Sequence, residues 1–227
     1  MPELTMPRRT LMLAAAGAAT AIVSNPAAAA PEKPTRKPLP FDPKAVSWLS
    51  EKLLTNHFET NYSGAVNRLG AISAEFAGLD LAATPGYRIN GLKREELIAW
   101  NSMILHETYF AGLVAKEAPS APLAQTIERD FGSLDRWAAE FAAMGKALGG
   151  GSGWVILAWS RHDSRLVNTW ASDHTMTLAD SAPILALDMY EHAYQLDFGP
   201  KAAAYVDAFM QAVSWRNANV AFHRVAT

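Results

Sequence analysis

The sequence predicts an α+β fold. A long-helix hairpin domain comes first, then a domain with helices and a small three-stranded, mostly antiparallel sheet. Three observations carry this. Apolar residues recur at three- and four-residue steps through two long stretches before residue 117. The helical patterns shorten after Pro122 and stop at Gly149-Gly-Gly-Ser-Gly153. Three short apolar runs of strand length follow that glycine cluster. The expected divisions are a leader at 1–30, a linker at 31–40, the helical hairpin at 41–120 and the α+β part at 121–227.

The leader comes first. Arg8-Arg9-Thr-Leu-Met12 opens a run of small and apolar residues to Val23, and Ala27 to Ala30 follow. A basic start, a weakly apolar middle and an alanine-rich end predict an export signal, with the paired arginines favouring the twin-arginine route. An exported protein, periplasmic or extracellular, is therefore expected, with no stable membrane anchor after cleavage. Removal of 1–30 would leave 18 basic and 21 acidic residues. That near-balance offers no footprint for nucleic acid and no long-range steering of an anion. The chain has no cysteine, which excludes disulfides and thiolate ligands. Four prolines between Pro31 and Pro40 predict an extended linker.

Asp42-Pro43 reads as a helix start, a capping side chain followed by proline. The spacing predicts a helix from Val46 to Leu69, kinked or broken near Asn56. Pro85-Gly86 and Asn90-Gly91 predict turns, and a second long helix is expected from Lys93 to Lys116. Shorter helices are expected at Leu123–Asp130 and Leu134–Leu148, the latter capped by Ser133. Strands are expected at Trp154–Ser160, Leu166–Ser172 and Ile184–Leu187, with a hairpin turn at 161–165. Helices over Pro200–Val213 and Trp215–His223 close the chain.

Six histidines are the candidate chemistry. His162 lies in a polar turn and His223 near the C-terminus, and both read as surface residues. His57 is one helical turn from Asn61, a spacing that fits either a shared functional face or a polar stripe. His106 sits among Leu105, Thr108, Tyr109 and Phe110, which predicts burial. A buried imidazole without a partner costs about 1–3 kcal/mol, so a metal or a backbone bond is expected there. Asp188 follows the apolar run Ile184–Leu187, and His192 follows four residues later. A carboxylate at the end of a buried strand calls for a cation, though a helix cap with a core histidine would also fit. If His57, His106, Asp188 and His192 converge, three nitrogens and one anionic oxygen suit iron or manganese.

The order of these motifs resembles the iron/manganese superoxide dismutase family from about Leu39 to Arg224. Leu39-Pro-Phe41 is similar to the family's opening segment. His106-Glu-Thr-Tyr-Phe110 is similar to the segment holding its second histidine. Gly151-Ser-Gly-Trp154 matches the entry to its sheet, and Asp188-Met-Tyr-Glu-His-Ala-Tyr194 resembles the segment supplying its last two ligands. The resemblance implies His57, His106, Asp188 and His192 as ligands of one iron or manganese ion per subunit. It also implies superoxide as substrate, dioxygen and hydrogen peroxide as products, and a homodimer through Glu191 and Tyr194, with Glu191 reaching the partner's ligand histidine.

Several positions depart from the family pattern. Asn61 stands where a histidine is usual, Ala65 where a tyrosine guards the substrate funnel, and Tyr190 where a tryptophan is usual. Ser102 is not the glutamine that many iron enzymes use to bond solvent. His174 fits the variant in which a sheet histidine takes that part. His174, Asn61 and Tyr190 are thus the expected residues around the ligands. The alternative implied by these departures is a secreted metal-binding protein on the same scaffold with little or no catalysis.

Overall fold

The computed structural model describes residues 34–114 and 116–226. The expected leader at 1–30 and the first three linker residues lie outside the described residues. The described residues belong to one compact unit. Residues 34–39 have no regular structure, as expected of a linker, but they are tied down. Arg36 pairs with Glu59, Lys37 pairs with Glu107, and the Lys37 N–H donates to the Tyr62 hydroxyl at 2.9 Å.

Asp42 caps as its sequence suggested, accepting from the Lys44 N–H, but it starts only a 3₁₀ turn at Pro43–Ala45. The helix proper begins later. Ser50 accepts from the Leu53 N–H and opens α1, Glu51–Asn56. A π-helical turn, His57–Tyr62, follows and leads into α2, Ser63–Ala77. The break expected near Asn56 is this widened turn. Its end is marked by Ser63, whose N–H and hydroxyl both donate to the Phe58 carbonyl five residues back. Such π turns recur at functional sites.

Asn90-Gly91 does not form the expected turn. α3 runs unbroken over Gly86–Ala111, because Pro85 starts the helix one turn earlier and its carbonyl accepts from Arg88 and Ile89. A single glycine in a long helix costs only about 1 kcal/mol, and the remaining turns carry it. The same helix stops at Gly112, short of Lys116. α4, Ala121–Phe131, ends on Gly132 at φ +90°, and α5, Leu134–Ala147, starts from the Ser133 cap.

The sheet is three-stranded and antiparallel, in the order β2-β1-β3. Its strands are β1 Trp154–Ser160, β2 Arg165–Ala171 and β3 Ser181–Asp188. β1 is buried at every position, consistent with its run of apolar residues in the centre. β3 is longer than its apolar run and carries Asp188 as its last residue, paired with Trp154. Helices α4 and α5 cover one part of the sheet, and α3 and the last helix, Arg216–Val225, pack on β3. A 3₁₀ turn at Glu191–Ala193 leads to α6 Gln195–Phe198, α7 Ala202–Ala212 and α8 Arg216–Val225. One apolar cluster runs from Leu53 and Phe58 through Tyr109 and Trp154 to Phe209 and Phe222. No helix among the described residues is long and apolar enough to cross a membrane.

Candidate metal centre

Four elements each aim one side chain at one point. The π turn brings His57, the last turns of α3 bring His106, and the end of β3 brings Asp188, with His192 on the turn just beyond. Their ligand atoms all lie within 4.8 Å of one another. Asp188 Oδ2 is the focus: His57 Nε2 lies 3.1 Å away, His192 Nε2 3.2 Å and His106 Nε2 3.6 Å. His57, His106 and Asp188 are buried, while the His192 side chain is 26% exposed.

A cation fits these residues. Ligands bound at about 2.1 Å to one ion, at right-angled to tetrahedral openings, stand roughly 3.0–3.5 Å apart. The separations of His57 and His192 from Asp188, 3.1 and 3.2 Å, fall in that range, and that of His106, 3.6 Å, lies just outside it. His106 Nε2 is buried with no hydrogen-bond partner, and its ring donates Nδ1–H to the Ser102 carbonyl at 2.6 Å. That bond fixes the tautomer and turns the Nε2 lone pair to the centre.

The electrostatics agree. Burial, helped by neighbouring His57, pushes His106 down to about 3. Burial also lowers His57, against the pull of Asp188. Burial alone would raise Asp188, but His192 and His57 outweigh it and hold the carboxyl well below the usual carboxylate range. Neutral imidazoles at His57 and His106 beside an ionised carboxylate are the protonation states a metal requires.

The residues expected around the ligands also gather here. The Asn61 amide lies 3.0 Å from His192 Nδ1. When Nε2 offers its lone pair to an ion, Nδ1 carries the proton, so the amide must present its oxygen. His192 thus has a partner for its outer nitrogen within its own chain. The Tyr190 hydroxyl lies 3.1 Å from His174 Nδ1, and the Tyr190 N–H donates to Asp188 Oδ1 at 2.9 Å. Burial raises the Tyr190 phenol to about 12 and lowers His174. Ala65 is buried at 7% exposure, and Ser102 Oγ lies 3.3 Å from His106 Nδ1. Glu191 is exposed, whereas Tyr194 is buried in its own subunit, its ring stacked on Tyr205. His162 is exposed beside Asp163, as its polar turn suggested, and His223 is also exposed.

The sequence left two contributors unnamed, the carbonyl that takes the backbone bond expected at His106 and a tyrosine on α7. The Ser102 carbonyl orients His106, and its place one turn earlier on the same helix could have signalled that. Tyr205, on α7, donates its hydroxyl to the Asp188 carbonyl at 2.9 Å and lies 3.1 Å from the Tyr109 hydroxyl. No short-range pattern links residues so far apart in sequence. Phe110 and Trp154 complete the walls, 5.0 Å from His57 and 5.1 Å from His106 between ring centroids.

A three-nitrogen, one-carboxylate cluster at the meeting of helices and a strand end defines a candidate mononuclear metalloprotein of the α+β class. Comparison with known proteins narrows this. Residues 119–221 match the family described as iron/manganese superoxide dismutases, C-terminal domain. The chain is 61% identical over 186 residues to the superoxide dismutase [Fe] of Cupriavidus metallidurans, covering 82% of this chain and 94% of that one. It is 34% identical to superoxide dismutase [Mn] 1 of Halobacterium salinarum, over 83% of this chain and 94% of that one. It is 32% identical to the superoxide dismutase [Fe] of Aquifex pyrophilus, over 80% and 88%. The chain belongs to the iron/manganese superoxide dismutase family.

Proposed function

We propose that this protein is a superoxide dismutase that holds one iron or manganese ion between His57, His106, Asp188 and His192. The observation that carries this is the convergence of those four ligand atoms within 4.8 Å, in a chain of this family. The bound metal supplies a one-electron redox couple. Two superoxide ions and two protons become one dioxygen and one hydrogen peroxide.

The residues do the rest. Ser102 and Asn61 hold the outer nitrogens of His106 and His192 and so aim their inner ones. Asp188, ionised and buried, offsets part of the metal's charge, and the Tyr190 N–H and Tyr205 hydroxyl keep its segment in place. Phe110 and Trp154 exclude water from the buried side. Asn61, His174, Tyr190 and His192 are partly exposed, so superoxide and protons reach the site from their side. With a net charge of -2, attraction of the anion is local to the metal.

The remaining readings belong to the same proposal. Residues 1–30 direct twin-arginine export to the periplasm or beyond, supported by Arg8-Arg9 and the alanine-rich run after them. Residues 41–120 form a helical domain and 121–227 an α+β domain, supported by the position of every described strand after residue 121. Two chains pair through Glu191 and Tyr194, supported by the exposed position of Glu191, while Tyr194 is buried in its own subunit.

Elemental analysis together with pulse radiolysis tests the function. Metallated protein should remove superoxide far faster than the same metal free in solution. Full metallation without such turnover would leave an inert metal-binding protein. Exchanging His192→Ala should abolish metal retention, and unchanged stoichiometry would refute its ligand role.

A further inference from the structure

His174 has one nitrogen in contact and one buried without a partner. Nδ1 faces the Tyr190 hydroxyl at 3.1 Å, while Nε2 is buried and unpaired. The ring lies 6.2 Å from the ligand histidine His106, nearly parallel at 20°, and 5.7 Å from Trp154. Its backbone is pinned, since the Asn101 side-chain amide donates to the His174 carbonyl at 2.7 Å. Tyr190 is stacked between two histidines, 4.8 Å and 16° from His174, and 5.3 Å and 13° from His192.

Which nitrogen of His174 carries the proton follows from what each one faces. His106, its ring 6.2 Å away, has its Nε2 lone pair committed to the centre by the Ser102 bond. A lone pair at the buried, unpaired Nε2 of His174 would repel an anionic oxygen brought to the centre. A proton there makes it a donor for that oxygen. Nδ1 is then the acceptor, and the phenol beside it must donate.

We propose that Tyr190 is a positioning residue. Its hydroxyl donates to His174 Nδ1 and thereby holds His174 as the Nε2–H tautomer, a neutral donor for an anionic oxygen entering the centre. This deepens the dismutase reading and rests on it for the identity of that oxygen. The stack on His192 adds a second constraint, keeping the donor ring and a ligand ring in one register. No proton leaves the tyrosine.

Azide binding to the iron-loaded protein tests this without turnover. Azide is a small anion whose binding to the ferric protein is followed by its absorption band. Exchanging Tyr190→Phe removes the hydroxyl and keeps the ring stack. It should weaken azide binding about three- to tenfold, the weight of one net hydrogen bond. His174→Ala should weaken it at least as much, and adding Tyr190→Phe to that variant should cost nothing more. In zinc-loaded, ¹⁵N-histidine-labelled protein, His174 should report Nε2–H in the wild type and a tautomer mixture in Tyr190→Phe. Equal azide affinities in wild type and Tyr190→Phe, or an Nδ1–H signal in the wild type, would overturn the proposal. An additive loss in the double variant would show that Tyr190 acts other than through His174, and would also overturn it. Absence of dismutation with the coupling intact would instead refute the activity alone.

Discussion

Gly153 is the residue where the fold and the metal centre depend on one backbone position, so replacing it with alanine should damage both. Its φ is +137°, a conformation that side chains rarely adopt. A Cβ placed there would sit 2.1 Å from the Ala171 carbonyl oxygen, on the neighbouring strand. Strain at such a φ costs about 1–3 kcal/mol. Relieving the overlap requires β1 and β2 to part at Trp154 and Ala171, and overpacking of that kind costs about 1–3 kcal/mol more. The sum, about 4 kcal/mol, is a large share of the 5–15 kcal/mol typical of a folded protein. For a domain of this size it corresponds to a fall in Tm of roughly 10 °C.

The same glycine reaches the centre. Its carbonyl accepts from the Met189 N–H at 2.9 Å, immediately after Asp188. Moving Gly153 therefore moves the carboxylate, and the Gly153→Ala protein should retain less metal. The control is Gly150→Ala. Gly150 also has positive φ, +81°, but nothing lies within 4 Å of its Cβ position. It should lose about 1 kcal/mol from strain alone. The assays are thermal unfolding of the metal-free proteins and metal content after equal loading. If Gly153→Ala is no less stable than Gly150→Ala and holds metal equally well, the close approach to Ala171 is not what that glycine serves.

Other perturbations have equally definite outcomes. Exposed, mid-helical Gly91 has nothing within 4 Å of its Cβ position, so Gly91→Ala should raise the urea midpoint by the equivalent of about 0.5–1 kcal/mol. Asn61→Leu removes the partner of the His192 outer nitrogen, and competition with a chelator should show metal affinity down about 10–100-fold. The metal-free protein should become less stable as pH falls, followed by denaturant titration at several pH values. His106 ionises at about 3 in the fold but near 6.5 when unfolded, so between those values the unfolded chain binds the extra proton. Each histidine so lowered gives a slope of about 1.4 kcal/mol per pH unit, and His57 adds to it in the same direction. Asp188, lowered by its histidines, contributes stability above about pH 4 that is lost on further acidification.

The sequence revealed most where a local rule governs. The strands were legible because β1 is an uninterrupted apolar run and a buried central strand is what such a run makes. Ser133 was legible as a cap because its side chain serves the backbone three residues on. Asn90-Gly91 misled, because turn chemistry there competes with a helix already started at Pro85 and sustained on both sides. The four candidate ligands stood out as a set through their order along the chain, and their side chains do converge, whereas spacing alone left a capping aspartate and a core histidine equally open. Tyr205 was not legible at all, since its contact with Asp188 spans 17 residues and depends on α7 folding back.

Ala65 and Ser102 are buried, but three of the positions singled out around the ligands, Asn61, His174 and Tyr190, share a placement with a physical consequence. The buried half of the centre, with His57, His106 and Asp188, is enclosed by aromatic rings and backbone bonds that leave little freedom for change. Asn61, His174 and Tyr190 sit on the partly exposed half, where a new side chain can find solvent or a new partner. Each of them makes a bond there: Asn61 to a ligand histidine, and Tyr190 to His174. Variation on that side leaves the ligand set unchanged. It alters which donors face the ion and how firmly His192 is aimed, and those are the terms by which a protein tunes a metal's potential and its retention.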